Sequence, residues 1–211
     1  MRALAIIVVL VVALVPALAH AEIDAKGVRV GLATFGVDIE LTQPNQQGSD
    51  GTHGPPSLFW GAFITSRFTP SFALQLEGVF AMMNSQVEHC GSTPACINVH
   101  DLWLYYIELP VLIRLDLLPG ERSKFHLDVG PELAIHLGSV DKVAKDEAID
   151  LKPLNFGVVV GLGFEVGAGP GRITIDARYK RWAIPLRDGT ETIEKITTDH
   201  QVMLAVGYAF P

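Results

Sequence analysis

The sequence predicts an all-β fold: an eight-stranded antiparallel up-and-down transmembrane β-barrel with short periplasmic turns and long extracellular loops. Three observations predict it. Apolar residues alternate with polar or small residues in eight segments, short and long links alternate between those segments, and aromatic residues gather toward the segment ends. The expected strands cover residues 28–39, 58–68, 72–84, 102–117, 124–137, 156–166, 172–180 and 201–210.

The first 21 residues are expected to be a secretory signal peptide, followed by one barrel domain over residues 22–211. Met1 and Arg2 precede an apolar run over 3–19, and Ala19-His20-Ala21 has small residues at the positions that cleavage requires. An uncleaved anchor is the alternative. Beyond this segment the longest stretch without Asp, Glu, Lys or Arg has 16 residues, 51–66, which is too short and too polar for a spanning helix.

The composition of the chain is apolar for an exported protein, with 49% hydrophobic and 18% charged residues. Its formal charge is -7, and no Lys/Arg cluster is present. Proteins that bind nucleic acid need a basic face to neutralise phosphates, so nucleic acid is excluded as a partner.

Aliphatic and ionisable residues alternate along each segment with a period of two, so they lie on opposite faces of the predicted strands. In the clearest segment Val158, Val160 and Leu162 alternate with Gly161 and Glu165. Such a strand has one apolar face, which a barrel in lipid turns outward. Because burying charge is costly unless it is paired, we expect an interior network of ion pairs. Its expected members are Arg29, Arg67, Glu77, Glu108, Arg114, Asp116, Asp128, Glu132, Glu165, Asp176, Arg178 and Lys180, with His126 on the same face.

The links between strands indicate an orientation in the membrane. Three are short, over 69–71, 119–123 and 168–171, and contain Pro, Gly and Ser. The other four, near 40–57, 85–101, 138–153 and 183–199, have about 15 residues each. Outer-membrane barrels have short periplasmic turns and long external loops.

A strand in hydrocarbon also needs partners for all its backbone groups, so the sheet is expected to close.

Aromatic residues are predicted to form two interfacial girdles, as amphipathic rings prefer the boundary between lipid and water. The outer girdle is expected to contain Trp60, Trp103, Tyr105, Tyr179 and Trp182, and the inner girdle Phe68, Phe72, Phe125, Tyr208 and Phe210.

Two prolines conflict with regular strands. Pro110 and Pro131 lie inside the fourth and fifth strands, where each removes a backbone donor from the ladder. Because Gly130 precedes Pro131, we expect local bulges at these positions.

Cys90 and Cys96 are the only cysteines. In an oxidising compartment an even pair predicts a disulfide. A zinc site with His89 and His100 is the alternative, although the spacing matches no finger-like pattern. Neither a metal nor a cofactor is otherwise expected.

Two further classes of protein stay as alternatives. An outer-membrane lipid-modifying enzyme would need a nucleophile beside a base, and Ser139, His136 and Asp141 are the one loose group of candidates. On a regular strand Ser139 and His136 would lie on opposite faces, so no enzymatic activity is expected. A soluble lipocalin-like carrier would bury the aliphatic face, whereas here the charges share a face with most of the glycines.

The segment 106–114 (Tyr-Ile-Glu-Leu-Pro-Val-Leu-Ile-Arg), Gly130-Pro131, the glycine-rich 160–167 and the closing 204–210 resemble the porin-like outer-membrane β-barrels, OmpA-type and especially the PorT-like branch. The resemblance implies location in the outer membrane of a Gram-negative bacterium. It also implies the barrel-assembly machinery as a partner during biogenesis.

These observations together predict a small outer-membrane protein with a structural or surface-interaction role and an interior filled by side chains. Porin-like passage of small solutes is the alternative. The expected partners are outer-membrane lipid and lipopolysaccharide, and three alternatives stay open for the long loops, which could bind a partner, a divalent ion or nothing.

Overall fold

The computed structural model describes residues 22–43, 46–53, 55–90, 96–119, 123–141, 152–183, 187–190 and 193–211, and side chains within 23–34, 55–84, 103–117, 123–140, 152–183 and 200–211. Ten strands form: β1 (Glu22–Gln43), β2 (Gln46–His53), β3 (Ser57–Thr69), β4 (Phe72–Cys90), β5 (Cys96–Pro119), β6 (Ser123–Asp141), β7 (Leu154–Ala168), β8 (Gly171–Trp182), β9 (Arg187–Thr190) and β10 (Ile193–Phe210). Among the described residues, no helix is long and apolar enough to cross a membrane.

Eight of these strands form a closed antiparallel barrel in the order β1-β3-β4-β5-β6-β7-β8-β10. The barrel closes where β1 pairs with β10, from Lys26 opposite Phe210 to Glu40 opposite Lys195. The short strands β2 and β9 pair only with β1 and β10, respectively. The prediction of an all-β, eight-stranded, up-and-down barrel is therefore confirmed.

The strands extend further into the links than the sequence pattern predicts. Pairing of β4 with β5 continues to Cys90 opposite Cys96, and β2 lies inside the first long link. Most of the second link is therefore paired strand. Antiparallel neighbours satisfy each other's backbone groups wherever they run side by side, so pairing does not need the apolar alternation by which the strands were recognised.

Burial follows the predicted alternation along the barrel wall. In β7 Val160 is 43% exposed on the outside, whereas Glu165 is 4% exposed inside. The aliphatic residues at every second position thus form the outer surface, and the ionisable residues lie around the axis. We call the end that carries the turns at 70–71 and 169–170 the inner mouth, and the opposite end the outer mouth.

The bulges predicted at Pro110 and Pro131 are wrong. Between β5 and β6 the pairing skips Val111 and Leu112 opposite Gly130 and Pro131, and it resumes in the same register. Equal numbers of residues are skipped on the two strands, so neither strand contains an extra residue. The ladder is interrupted where proline lacks a donor, without any shift.

The register shifts between β5 and β6 occur elsewhere, at 105/106 and 116/118. At the first of these shifts Leu137 of β6 is the extra residue, and its side chain is exposed on the outside. The bulge therefore lies near the outer mouth, five residues beyond the interruption at the prolines.

Gly130 is required by the close approach of β5. A Cβ atom built at this position would lie 1.9 Å from the carbonyl oxygen of Val111. We expect Gly130→Ala to lower the free energy of unfolding by roughly 1–3 kcal/mol, because the backbone of β5 would have to move. Urea unfolding in lipid vesicles measures this change.

Gly78→Ala is the matched control, since it adds the same methyl group to β4, on the other side of β5, where no atom lies within 4 Å of the added Cβ. We expect little or no loss there. Equal losses for the two variants would contradict the assigned role of Gly130.

Candidate functional site

The interior of the barrel is the candidate site, and its polar side chains are stacked in layers along the axis. The first layer lies at the inner mouth and contains Arg67, whose guanidinium lies 2.9 Å from Asp24 and 2.7 Å from Asp116. Arg172 adds a longer contact, 3.6 Å from Glu165. These side chains are partly exposed, except for Asp116 and Glu165, which lie deeper.

The next layer is centred on Arg114 of β5. Its guanidinium donates to Glu165 and, at 2.9 Å, to the side-chain oxygen of Gln75, and it contacts the ring of His126. The Nε2 atom of His126 lies 3.2 Å from Asp176. One cation thus joins groups from four strands.

The glycines of β7 make room for this layer. Gly163 pairs with His126 on one side and with Asp176 on the other. A Cβ atom at Gly163 would lie 2.0 Å from Nε2 of His126 and 2.5 Å from the Asp176 carboxylate. The alternation of glycine with valine or leucine in this strand therefore lets large charged side chains from β6 and β8 meet above it.

Glu77 of β4 is the centre of the third layer. It accepts two hydrogen bonds from Arg178, at 2.8 and 2.9 Å, and lies 3.3 Å from Arg29. Arg178 also lies 3.3 Å from Asp128. The two-pronged geometry matches guanidinium to carboxylate, and both partners are buried.

Above this layer Lys180 donates to Glu108 and forms an ion pair with Glu132 at 2.8 Å. All three side chains are at most 3% exposed. They join β8 to β5 and β6 inside the barrel.

The next layer toward the outer mouth is apolar, which the sequence analysis did not predict, and the buried polar side chains of Ser57, Asn84 and Gln201 lie beyond it. Tyr106 and Trp182 meet edge to face, with 5.3 Å between ring centroids and 84° between planes. We call this layer the apolar plug, and its other buried members are Ala33, Phe59, Val79, Ala81, Met83, Leu104, Ala134, Met203 and Ala205.

The structure thus places the predicted interior residues on the inside of the barrel and brings them into contact. All twelve, and His126, are buried, except Arg67, which is partly exposed at the inner mouth. Gln75 is an additional member that was missed. It shares a strand face with Glu77, so the alternation would have identified it had uncharged polar residues been considered.

One aromatic residue does not lie where the girdle prediction put it. Trp182 is inside the barrel, because it shares the inward face of β8 with Arg178 and Lys180. The other nine lie on outward positions or at the mouths. Trp60 packs against Phe80 at 4.7 Å between centroids, and Phe80 lies 6.4 Å from Tyr105. Phe80 was not predicted as a member.

The face assignment of His136 and Ser139 is also corrected. His136 pairs with Tyr106 and Ser139 with Leu104, on either side of the register shift. The extra residue brings both positions to the inward face, contrary to the expectation for a regular strand. The ring of His136 packs against Tyr106, and no hydrogen bond to Ser139 is found among the described residues. The side chain of Asp141 lies outside the described part.

One group of side chains has the composition of a metal site. His126, Asp128 and Asp176 offer ligand atoms that all lie within 4.8 Å of one another. However, Arg178 lies against Asp128, and Arg29 is 3.7 Å from Asp176. Guanidinium groups already compensate both carboxylates, so the surroundings disfavour a cation.

The predicted disulfide concerns side chains that lie outside the described part of the chain. The backbone register does place Cys90 directly opposite Cys96. Pairing of their sulfurs stays a prediction, as does the alternative with His89 and His100, and the signal peptide over residues 1–21 lies outside the described residues as well.

A closed barrel with an aliphatic outer wall and a charged interior defines the class of integral outer-membrane β-barrel proteins. Residues 25–184 match the family of the outer membrane protein beta-barrel domain, and the chain belongs to this family. The family, with its members in the Gram-negative outer membrane, places the chain there. A soluble lipocalin-like carrier is thereby excluded.

Solved structures that are similar to the chain include the following two. Outer membrane protein OprG from Pseudomonas aeruginosa is 15% identical with a TM-score of 0.58, over 90% of this chain and 97% of that one. Neisserial surface protein A is 11% identical with a TM-score of 0.51, over 88% and 96%. At these identities the likeness concerns the fold alone. No curated protein sequence matches the chain.

Proposed function

We propose that this protein is a closed outer-membrane barrel with a structural or surface-interaction role and without an open pore. The observation that carries this proposal is the filled lumen. Two successive layers of side chains, Lys180 with its two glutamates and the apolar plug above it, are buried inside the barrel and support this proposal. An eight-stranded barrel has room for side chains and little else.

The outer wall supports a role in the lipid phase. Its aliphatic positions are interrupted by the aromatic row Trp60, Phe80 and Tyr105 near the outer mouth, where rings of this kind prefer the lipid boundary. Outer-membrane lipid and lipopolysaccharide are accordingly the proposed partners of the wall. The barrel-assembly machinery is the proposed partner during biogenesis, and the extracellular ligand of the long links stays unidentified.

Planar-bilayer recording tests the proposal against porin-like passage of solutes. We expect the folded full chain to give no stable conductance above that of a protein-free bilayer. Heat-modifiable migration on a detergent gel verifies that the inserted protein is folded. A steady, single-level conductance would overturn the closed barrel and favour the porin-like alternative.

A lumen-widening variant makes a negative result informative. Replacing Glu108 and Lys180 together by serine removes two of the three side chains that cross the lumen while keeping the formal charge of the layer unchanged. We expect this variant to leak ions more than the native barrel. If this variant shows no more conductance than the native barrel, the Lys180 layer is not what closes the lumen.

A further inference from the structure

The inner mouth contains a cavity that is separate from the layers proposed to close the lumen. Its volume is about 760 Å³, and its described lining includes Asp24, Arg67 and Lys124. Ile23 and Phe68 form an apolar rim on the side of the wall. A smaller adjacent cavity of about 80 Å³ is lined by Arg172 and shares Asp24.

The cations at this mouth are unequally compensated: Arg67 and Arg172 lie against acidic side chains, whereas Lys124 forms no ion pair among the described residues. Three cations, Arg67, Lys124 and Arg172, converge there, and Asp24 is the only acidic side chain among the described lining of either cavity. Asp24 is shared, at 2.9 Å from Arg67 and 4.0 Å from Arg172.

The deeper acids are already engaged. Asp116 lies against Arg67 at 2.7 Å, and Glu165 accepts from Arg114 and lies 3.6 Å from Arg172. These pairs form a floor below the cavity, so a ligand that enters from the periplasm would stop at the mouth. Lys124 is partly exposed and lies within electrostatic range of both arginines, which repel its ammonium group, and of Asp24 and Asp116, which attract it.

We propose that the inner mouth binds a phosphate group through Lys124, Arg67 and Arg172. Guanidinium and ammonium groups are the usual protein ligands of phosphate, and a concave mouth concentrates their field. The phosphate belongs to a phospholipid of the periplasmic leaflet or to a soluble periplasmic molecule. The apolar rim beside the cations, with Ile23 63% exposed, suits the lipid source. The site is separate from the apolar plug and does not depend on the proposed function.

Nuclear magnetic resonance of the ¹⁵N-labelled full chain in a non-ionic maltoside detergent tests the site. Inorganic phosphate is titrated against chloride at constant ionic strength. We expect saturable shifts of the amide signals of Thr69 and Lys124, and binding about tenfold weaker in Lys124→Gln, which corresponds to about 1.4 kcal/mol. Lys124→Arg should retain the binding.

Lys26→Gln is the matched control. It removes the same charge from an exposed position on the outer wall of β1, near the same end of the barrel. Shifts that fail to saturate, or an equal loss in Lys26→Gln, would overturn the proposal. Heat-modifiable migration shows whether each variant is folded.

A second arm distinguishes the two sources. In phospholipid nanodiscs the signals of Thr69 and Lys124 already match the phosphate-saturated positions if a lipid headgroup occupies the mouth. They match the phosphate-free positions, and still respond to added phosphate, if the ligand is soluble. Signals that resemble neither state and do not respond would count against the site.

Discussion

Glu77→Ala is expected to lower the free energy of unfolding by about 3–5 kcal/mol, the cost of removing one partner from a buried ion pair. Glu77 accepts two hydrogen bonds from Arg178 and lies 3.3 Å from Arg29. Its loss leaves two guanidinium groups close together in the middle of the barrel with less negative charge between them. Urea unfolding in lipid vesicles, followed by tryptophan fluorescence, measures the change.

The double variant Glu77→Met and Arg178→Met is the control for this prediction. Replacing both partners of a buried pair by apolar residues of similar volume is often nearly neutral. We therefore expect the double variant to be more stable than Glu77→Ala, although Arg29 and Asp128 lose a neighbour each. If Glu77→Ala loses less than about 1 kcal/mol, the third layer does not stabilise the barrel.

Val160→Arg is expected to destabilise the barrel by about 2–4 kcal/mol, because the side chain lies on the outer wall near the middle of β7, where a charge would face hydrocarbon. The same unfolding assay in vesicles measures the loss. This substitution tests the assignment of faces more directly than any interior variant, since it leaves the ion pairs untouched.

Ile173→Arg provides the comparison at another depth. Ile173 also points outward, but it lies at the inner end of β8, two residues after that strand begins. Near the interface the cost of an arginine falls to about 0–1 kcal/mol. Equal losses at both positions, or none at Val160, would mean that the outer wall is not embedded as described.

The faces of the strands could be predicted from the sequence because they depend on a local rule. Successive side chains of a strand point to opposite sides, so the position of Glu165 or Arg178 along its own segment is sufficient to assign it inward. The same rule assigns Trp182 inward. Trp182 was predicted as a girdle residue because it lies near a strand end, but the alternation of β8 places its side chain inside the barrel.

The partners of the inward residues could not be predicted in this way. Glu77 and Arg178 are 101 positions apart and meet across the lumen, on strands that are not neighbours in the sheet. Their contact depends on the register of every intervening pair and on the shear of the closed sheet. One shift is enough to change the result, as the bulge that brings His136 and Ser139 to one face shows.

The sequence by itself determined the strand count, the outward aliphatic wall and the inward charges, because each is a periodic property of a single segment. The tertiary structure alone decided how those charges are layered, that apolar side chains from several strands pack together as the apolar plug, and that cations gather at the inner mouth. These features arise when eight strands close at one register, since only closure brings side chains from distant segments to the same height along the axis.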